Sequence, residues 1–154
     1  MLNEKLQDLV CDQVKLVPTR EAACLDALRI VQQHFGWISD DNLAALSEIL
    51  GMSKEELESV STFYNHIFRR PVGRHIIHVC DSITCWMMGH ETILTHLKER
   101  LGVTIGETTE DNRFTILPIQ CLGACDGAPA IMIDDDLHCC LTAEKIDRVL
   151  EAYP

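Results

Sequence analysis

The chain has 154 residues, of which 47% are hydrophobic and 24% are charged, and its formal net charge at pH 7 is −11. A chain of this length buries roughly 70% of the surface of its unfolded state, so it can hold a hydrophobic core without disulfides. The negative charge repels phosphate backbones and argues against nucleic acid as a partner, and no run approaches the ~18 apolar residues of a membrane-spanning helix.

Residues 1–8 indicate a reducing compartment. They are polar and mixed in charge, unlike the apolar centre of a secretory signal peptide, and they are too acidic for a mitochondrial transit peptide. We therefore expect a cytoplasmic protein, in which paired cysteines more often bind metal or take part in catalysis than form disulfides. Any association with a membrane must then come through a partner.

Residues 1–70 are predicted to form a helical N-terminal domain. Apolar residues at helical spacing follow Pro18 and predict a helix that ends near Gly36. A second helix is predicted to begin after Ser39 and to end at Gly51, because apolar positions again recur every three or four residues.

A third helix is predicted to begin after Ser53. Ser53 and Glu56 have the spacing of a capping box, in which each side chain satisfies a backbone N–H group at the start of a helix. We expect this helix to run through Phe63 and Ile67 until Pro71 stops it. Four aromatic residues are interpreted as packing in the core or between domains: Trp37, Phe63, Tyr64 and Phe68.

The segment 69–74 is the predicted boundary between two domains. Pro71 and Gly73 interrupt the helical pattern, and three arginines give the sequence its only concentrated positive charge. These arginines are either a solvated linker or a contact for an acidic partner surface. The second domain is predicted at residues 71–154.

The second domain begins with a change from helical spacing to short strands. Four strands are predicted, at residues 75–80, 114–119, 130–133 and 137–141. A helix at about 87–101 separates the first two strands, and Thr142 is predicted to cap a final helix. The order β-α-β-β-β-α, with a right-handed crossover expected in its first unit, resembles a thioredoxin-like sheet. The predicted fold class is α/β (α+β overall), with a helical bundle ahead of the sheet.

Two local pairs of cysteines follow the first two strands. Cys80 and Cys85 are separated by four residues, and Cys121 and Cys125 by three. Each pair can be presented by one turn of backbone, and the long interval lets the fold bring the two turns together. A [2Fe–2S] cluster needs such an arrangement, because each iron takes two thiolates and the sulfides need backbone N–H groups nearby.

The residues around these cysteines leave several kinds of site open. Gly123 and Gly127 favour a cluster, because a residue without a Cβ lets the backbone wrap closely around an anionic group. Structural zinc accepts four cysteines at these separations, and disulfides would use the same residues. A thioredoxin-type redox site is disfavoured because no pair has C-x-x-C spacing, and so is a plant-type ferredoxin, whose third cysteine stands two residues after its second. A Rieske-type centre needs histidine ligands, whereas the placement of His78 and His90 favours structural roles.

A longer motif resembles a known family. It reads Asp111-x-x-Phe114-Thr115, then five residues, then Cys121-Leu122-Gly123-x-Cys125-x-x-Ala128-Pro129. Together with the first cysteine pair, the Phe-Tyr at 63–64 and the segment 69–74, it resembles the NuoE-type small [2Fe–2S] subunit of the NADH dehydrogenase module of respiratory complex I. The resemblance extends from about residue 18 to the C-terminus. Related domains occur in NAD-linked hydrogenases and formate dehydrogenases.

The resemblance implies a one-electron carrier of NADH:quinone oxidoreductase with no catalytic residue of its own. Its one [2Fe–2S] cluster would be held by Cys80, Cys85, Cys121 and Cys125. The sequence lacks G-x-G-x-x-G and G-x-x-x-x-G-K-[ST], so NADH and FMN are expected in a partner, the NuoF-type flavoprotein. The resemblance also implies that the helices of the N-terminal domain dock on that flavoprotein. The protein would then be peripheral, on the cytoplasmic side of a bacterial inner membrane, among the other peripheral-arm subunits.

The remaining cysteines are predicted to have no role in the site. Four are interpreted as small buried hydrophobic residues: Cys11, Cys24, Cys139 and Cys140. Cys139 and Cys140 should point to opposite faces of a strand, since neighbouring side chains alternate there. Asp81 and Asp126, beside the predicted ligands, are interpreted as solvated loop residues.

Overall fold

The computed structural model describes residues 2–154. The chain forms two compact units, Met1–Pro71 and Val72–Pro154. Each unit has its own hydrophobic core, built from helices in the first and from a sheet with helices in the second. No helix in the described part of the chain is long and apolar enough to cross a membrane.

The first unit is helical, as predicted. Its α-helices, within residues 2–71, are α1 (Glu4–Leu16), α2 (Cys24–Phe35), α3 (Asp40–Leu50) and α4 (Lys54–Phe63). The second and third confirm the predicted helices, and each ends at a glycine in the left-handed conformation, Gly36 and Gly51. The capping box is also confirmed, because the side chains of Ser53 and Glu56 each accept a hydrogen bond from the other's backbone N–H.

The helix α4 is shorter than the sequence predicts. It ends at Phe63 instead of continuing through Ile67, because Tyr64 has an extended conformation with φ −89° and ψ 116°. The hydroxyl of Thr62 donates to the carbonyl of Glu58 at 2.8 Å, a local bond that is unfavourable to a continuing helix. Phe63 is 78% exposed, so its expected packing in a core is wrong.

Arg69 has an internal role that neither interpretation of the arginine segment anticipates. Its guanidinium pairs with Asp40 at 2.6 Å and with Glu58 at 2.7 Å, and it donates to the carbonyl of Ile38. Its side chain is 15% exposed. Burial by itself lowers the pKa of Arg69, but the hydrogen bonds to the two carboxylates outweigh it, and the pKa is raised. Arg69 therefore ties the end of the first unit to α3 and α4.

Replacing Arg69 with methionine is expected to destabilise the first unit by about 2 kcal/mol. Hydrogen bonds to charged groups contribute roughly 1.5–3 kcal/mol, and the substitution also removes the donor to the carbonyl of Ile38. Urea unfolding followed by far-ultraviolet circular dichroism measures the loss. The matched control is Arg70→Met at the exposed neighbouring position, which should change stability by less than about 0.5 kcal/mol. Equal effects of the two substitutions would contradict this role of Arg69.

The second unit is a mixed sheet with helices. Its elements are β1 (His75–Cys80), α5 (Ile83–Met87), α6 (His90–Leu101), β2 (Phe114–Ile119), β3 (Ile131–Ile133), β4 (Asp136–His138) and α7 (Ala143–Glu151). The strand order is β2-β1-β3-β4, in which β1 and β2 are parallel and the other neighbours are antiparallel. The predicted α/β fold class is confirmed, and the first two strands have the predicted bounds.

Two elements of this unit differ from the prediction. The helix expected at 87–101 is two helices, because Gly89, with φ 108°, separates α6 from the short α5 that contains Cys85. The helix α5 has only five residues, which are too few for helical spacing of apolar residues to be recognised in the sequence. The last strand ends at His138 because Cys140 has φ 49°, a left-handed conformation that interrupts a strand.

The parallel pairing of β1 and β2 brings the two predicted ligand loops to one edge of the sheet. Cys80, the last residue of β1, is in register with Ile119, the last residue of β2. The backbone N–H of Asp81 donates to the carbonyl of Ile119 at 2.8 Å, so the pairing continues into the first loop. Both loops leave the carboxyl ends of parallel strands, where an α/β sheet places its site.

Candidate metal centre

The first pair of predicted ligands is buried. Cys80 is 3% exposed, and Cys85, on α5, is 2% exposed. Both belong to an apolar cluster with Ala128 and Ala130. The N–H of Cys80 donates to the carbonyl of Ala130 at 3.3 Å, which holds the segment after the second loop beside the first pair.

The second pair lies in the loop that follows β2, and both Cys121 and Cys125 are exposed. Between them, Gly123 has φ 75°, a left-handed conformation that glycine adopts readily. Its backbone N–H donates to the sulfur of Cys121 at 3.4 Å. This contact is of the kind that the glycine position predicts, a backbone N–H directed at a ligand sulfur.

Interactions among the thiols connect both loops. Cys80 in the first loop and Cys125 in the second both raise the pKa of the Cys85 thiol. Cys125 and Cys80 both lower the pKa of the Cys121 thiol. The structure therefore brings together all four cysteines that the sequence singles out.

One thiol in each loop has a shifted pKa, and the two shifts are opposite in direction. Burial raises the pKa of the Cys85 thiol to about 11, and the hydrogen bond with Cys80 adds to this effect. The pKa of Cys121 is lowered, first by the N–H of Gly123 and then by the hydroxyl of Ser82. The thiolate form is therefore favoured at Cys121 relative to a free cysteine and disfavoured at Cys85, where a bound cation would offset the effect of burial.

The arrangement fits the requirements of a two-iron cluster. Within residues 2–154, no three His, Cys, Asp or Glu side chains are grouped so as to hold a single metal ion. A [2Fe–2S] cluster makes a different demand, because two thiolates bind each of two irons and N–H groups approach its sulfurs. Two thiols from each loop and the N–H of Gly123 supply these groups. That these four cysteines are the ligands stays a prediction.

His90 supports the first loop. It is 6% exposed, and its Nδ1 donates to the carbonyl of Cys80 at 2.9 Å, while its Nε2 lies 3.9 Å from the carboxylate of Asp81. This is the structural role that the sequence favours for His90. Asp81 and Asp126 are exposed, in agreement with their interpretation as solvated loop residues.

Sequence reasoning missed Ser82. This residue is the N-cap of α5, and its hydroxyl lowers the pKa of Cys121 in the other loop through a hydrogen bond. A serine directly before a helix is a recognised start signal, but it indicates a helix only where apolar spacing follows, and α5 is too short to show any.

The remaining cysteines differ in their environments. Cys24 is buried, as predicted, and burial raises the pKa of its thiol. Cys11 and Cys140 are exposed, so their predicted burial is wrong. The left-handed backbone of Cys140 explains its case, because no strand extends far enough to alternate its side chains. Cys139 is half-buried and packs against the apolar cluster that contains the first ligand pair.

Known proteins share this sequence pattern over most of the chain. The family model described as thioredoxin-like [2Fe-2S] ferredoxin matches residues 10–154. The E subunit of NADH-quinone oxidoreductase from Pseudomonas aeruginosa is 50% identical over 132 residues, which cover 86% of this chain and 80% of that protein. The protein of the same name from Escherichia coli K12 is 47% identical over the same shares of the two chains.

A solved structure shares the fold. The H2-reduced state of an NAD+-reducing [NiFe]-hydrogenase contains a region that matches 83% of this chain with a TM-score of 0.70 and 29% sequence identity. The matched region is 21% of that hydrogenase chain. The present chain therefore spans about a fifth of the hydrogenase polypeptide.

Proposed function

We propose, on the premise that the chain belongs to the thioredoxin-like [2Fe-2S] ferredoxin family, that it is a one-electron carrier subunit of an NADH-quinone oxidoreductase, respiratory complex I. The observation that carries this proposal is the convergence of two thiols from each of two loops at one edge of the sheet. The relatives from Pseudomonas aeruginosa and Escherichia coli, both named as subunits of NADH-quinone oxidoreductase, support the choice of parent complex.

Cys80, Cys85, Cys121 and Cys125 are the proposed ligands. When bound, the cluster supplies a centre that accepts and returns one electron at a time. The protein contributes the environment: buried sulfurs on the first loop, and an N–H group and a serine hydroxyl at Cys121 on the second. The added negative charge of the reduced state is offset by such dipoles, which therefore influence the reduction potential.

Each loop is proposed to serve one iron, Cys80 with Cys85 and Cys121 with Cys125. A turn of three or four intervening residues can present two sulfurs to one atom, whereas pairing across the loops would distort the backbone more. A high-resolution structure of the loaded protein tests this assignment. Cys80 and Cys121 on the same iron would refute it.

The proposed partner is the flavoprotein subunit that holds FMN and oxidises NADH. Apolar side chains beside the first loop support an interface there, because four on and directly after α5 are exposed: Ile83, Trp86, Met87 and Met88. Aromatic residues and methionine are enriched at protein interfaces. The hydrogenase likeness keeps open an equivalent subunit of an NAD-linked hydrogenase. As a subunit of complex I the protein is proposed to be peripheral, on the cytoplasmic side of the membrane.

The two units are proposed to differ in their main tasks. Residues 71–154 form the thioredoxin-like iron–sulfur domain, and residues 1–70 dock on the flavoprotein. Phe63 and Tyr64 support the docking role, because both are exposed and their rings meet edge to face with centroids 5.2 Å apart. Aromatic side chains of this kind often dominate the energy of an interface.

The purified full-length protein is expected to contain about two irons and two acid-labile sulfides per chain and to be coloured. It should not oxidise NADH with any artificial acceptor, because the flavin lies in the partner. Metal analysis, a visible spectrum and an NADH assay check these outcomes together. Stoichiometric zinc without iron would replace the cluster by a structural zinc site, and NADH oxidation by the chain alone would overturn the subunit assignment.

A further inference from the structure

The second ligand loop closes with a tight turn that ends at Gly127. The residues Cys125–Gly127 form a short 3-10 helix. The N–H of Gly127 donates to the carbonyl of Ala124 at 3.1 Å, and the N–H of Ala128 donates to that of Cys125 at 3.4 Å. Gly127 and Cys125 therefore belong to the same hydrogen-bonded turn, so a shift of one is transmitted to the other.

Gly127 has no room for a side chain, and the obstacle is Cys139. A Cβ at residue 127 would lie 2.7 Å from the Cβ of Cys139 and 3.1 Å from its sulfur. The first distance is shorter than side-chain carbons tolerate, and the Cβ of Cys139 is fixed to its backbone and cannot swing away. Gly127 is buried, so an added side chain has no open solvent to move into. Space, and not an unusual backbone conformation, requires glycine here.

Backbone hydrogen bonds hold the segment after β4 against this turn. The N–H of Cys140 donates to the carbonyl of Gly127 at 2.5 Å, and the N–H of Leu141 donates to that of Pro129 at 3.2 Å. The carbonyl of Cys139 accepts a hydrogen bond of 2.5 Å from the ammonium group of Lys145 on α7. The backbone of residues 139–141 is thus fixed on both sides.

The side chain of Cys139 packs beside the candidate metal centre. It packs against the apolar cluster that contains Cys80 and Cys85, whereas the next residue, Cys140, is exposed. Cys139 therefore lies between the turn that ends at Gly127 and the apolar cluster that includes the first pair.

We propose that Cys139 is a positioning residue for the metal centre. Its Cβ sets the distance between the turn at Gly127 and the buried first pair, and thereby the placement of Cys125 relative to Cys80 and Cys85. Cys139 acts through packing and is not a ligand. This inference rests on the proposed cluster function. If that function were wrong, the full-length wild-type protein would contain no iron and sulfide, which is a different result from any outcome of the test below.

The test compares substitutions that add or remove a Cβ at the contact in the full-length protein. Gly127→Ala adds a Cβ against Cys139. It should speed the loss of iron to a chelator on the order of tenfold, because overpacking of a buried contact shifts equilibria by that factor. It should also change the electron paramagnetic resonance g-values and the reduction potential, which a purely structural change far from the centre would leave unaltered.

Double variants identify the partner of that contact. Adding Cys139→Gly to Gly127→Ala removes the opposing Cβ and should restore the g-values and iron retention towards wild type. Adding Cys139→Ala keeps the Cβ and should restore much less. If Gly127→Ala prevents loading altogether, recovery of iron in the first double variant supports the proposal, and its absence overturns it.

Further outcomes would also overturn the proposal. These are wild-type g-values and iron retention in Gly127→Ala, or equal rescue by Cys139→Gly and Cys139→Ala. The single variant Cys139→Ala should keep the full iron content, because the Cβ remains. Loss of iron in that variant would make Cys139 a ligand and would refute the positioning role.

Discussion

Replacing Cys85 with alanine is expected to abolish the visible bands of the protein and to lower its iron content to less than about a tenth of wild type. A [2Fe–2S] cluster takes all four of its protein ligands as thiolates, so loss of one leaves an iron incompletely bound. Cys85 is 2% exposed, and water cannot easily replace its sulfur there. Iron and sulfide analysis with a visible spectrum measures the loss.

The same loss is expected for alanine at each of the other three predicted ligands, Cys80, Cys121 and Cys125. The chain provides a matched control for each environment. Cys140→Ala removes an exposed cysteine of the same unit, and Cys24→Ala removes a buried cysteine of the other unit. Both controls should keep the iron content of wild type. Full iron in any ligand variant would remove that residue from the ligand set.

The variants without a cluster should remain folded. The second unit has a core apart from the cysteines, with fully buried Ile77, Ile116 and Ile131 in its strands. Far-ultraviolet circular dichroism of Cys85→Ala should therefore match that of wild type. Retained secondary structure would show that the substitution removes a ligand and leaves the fold intact. In small domains without such a core, by contrast, removal of the metal unfolds the protein.

Local signals in the sequence are sufficient for most elements. The β-branched run at residues 75–80 predicts β1 to the residue, and Ser53 with Glu56 marks the start of α4. The end of α4 and the start of α5 escape prediction. The end of α4 is missed because the hydrogen bond of the Thr62 hydroxyl to the backbone has no signature in the apolar spacing. The start of α5 is missed because a helix of five residues is too short to show helical spacing of apolar residues.

The candidate site can be predicted in its residues but not in its surroundings. Spacing alone groups the cysteines into two local pairs. Their meeting depends on the parallel register of β1 and β2, which a predicted strand order can suggest. The contacts of Ser82 with Cys121 and of Gly127 with Cys139 join residues at least 12 positions apart. Such contacts arise from tertiary packing, so no local sequence pattern predicts them.

Removing the first unit is expected to weaken association with the flavoprotein more than it disturbs the metal centre. The fragment Val72–Pro154 keeps its own core and all four predicted ligands. It should show the visible spectrum of the full chain while binding the flavoprotein at least about 30-fold more weakly, since loss of one aromatic hot spot already costs roughly 2 kcal/mol. Titration of the purified flavoprotein with either form measures the difference.

Point variants of the full chain test which exposed apolar residues bind the flavoprotein. Phe63→Ala with Tyr64→Ala removes the exposed aromatic pair of the first unit, and Trp86→Ala with Met87→Ala removes exposed apolar groups beside Cys85. The first pair should weaken binding at least as much as the second. Undiminished binding by the fragment would assign docking to the second unit alone. A fragment that cannot hold its cluster would show that the helices serve to cover the iron–sulfur domain.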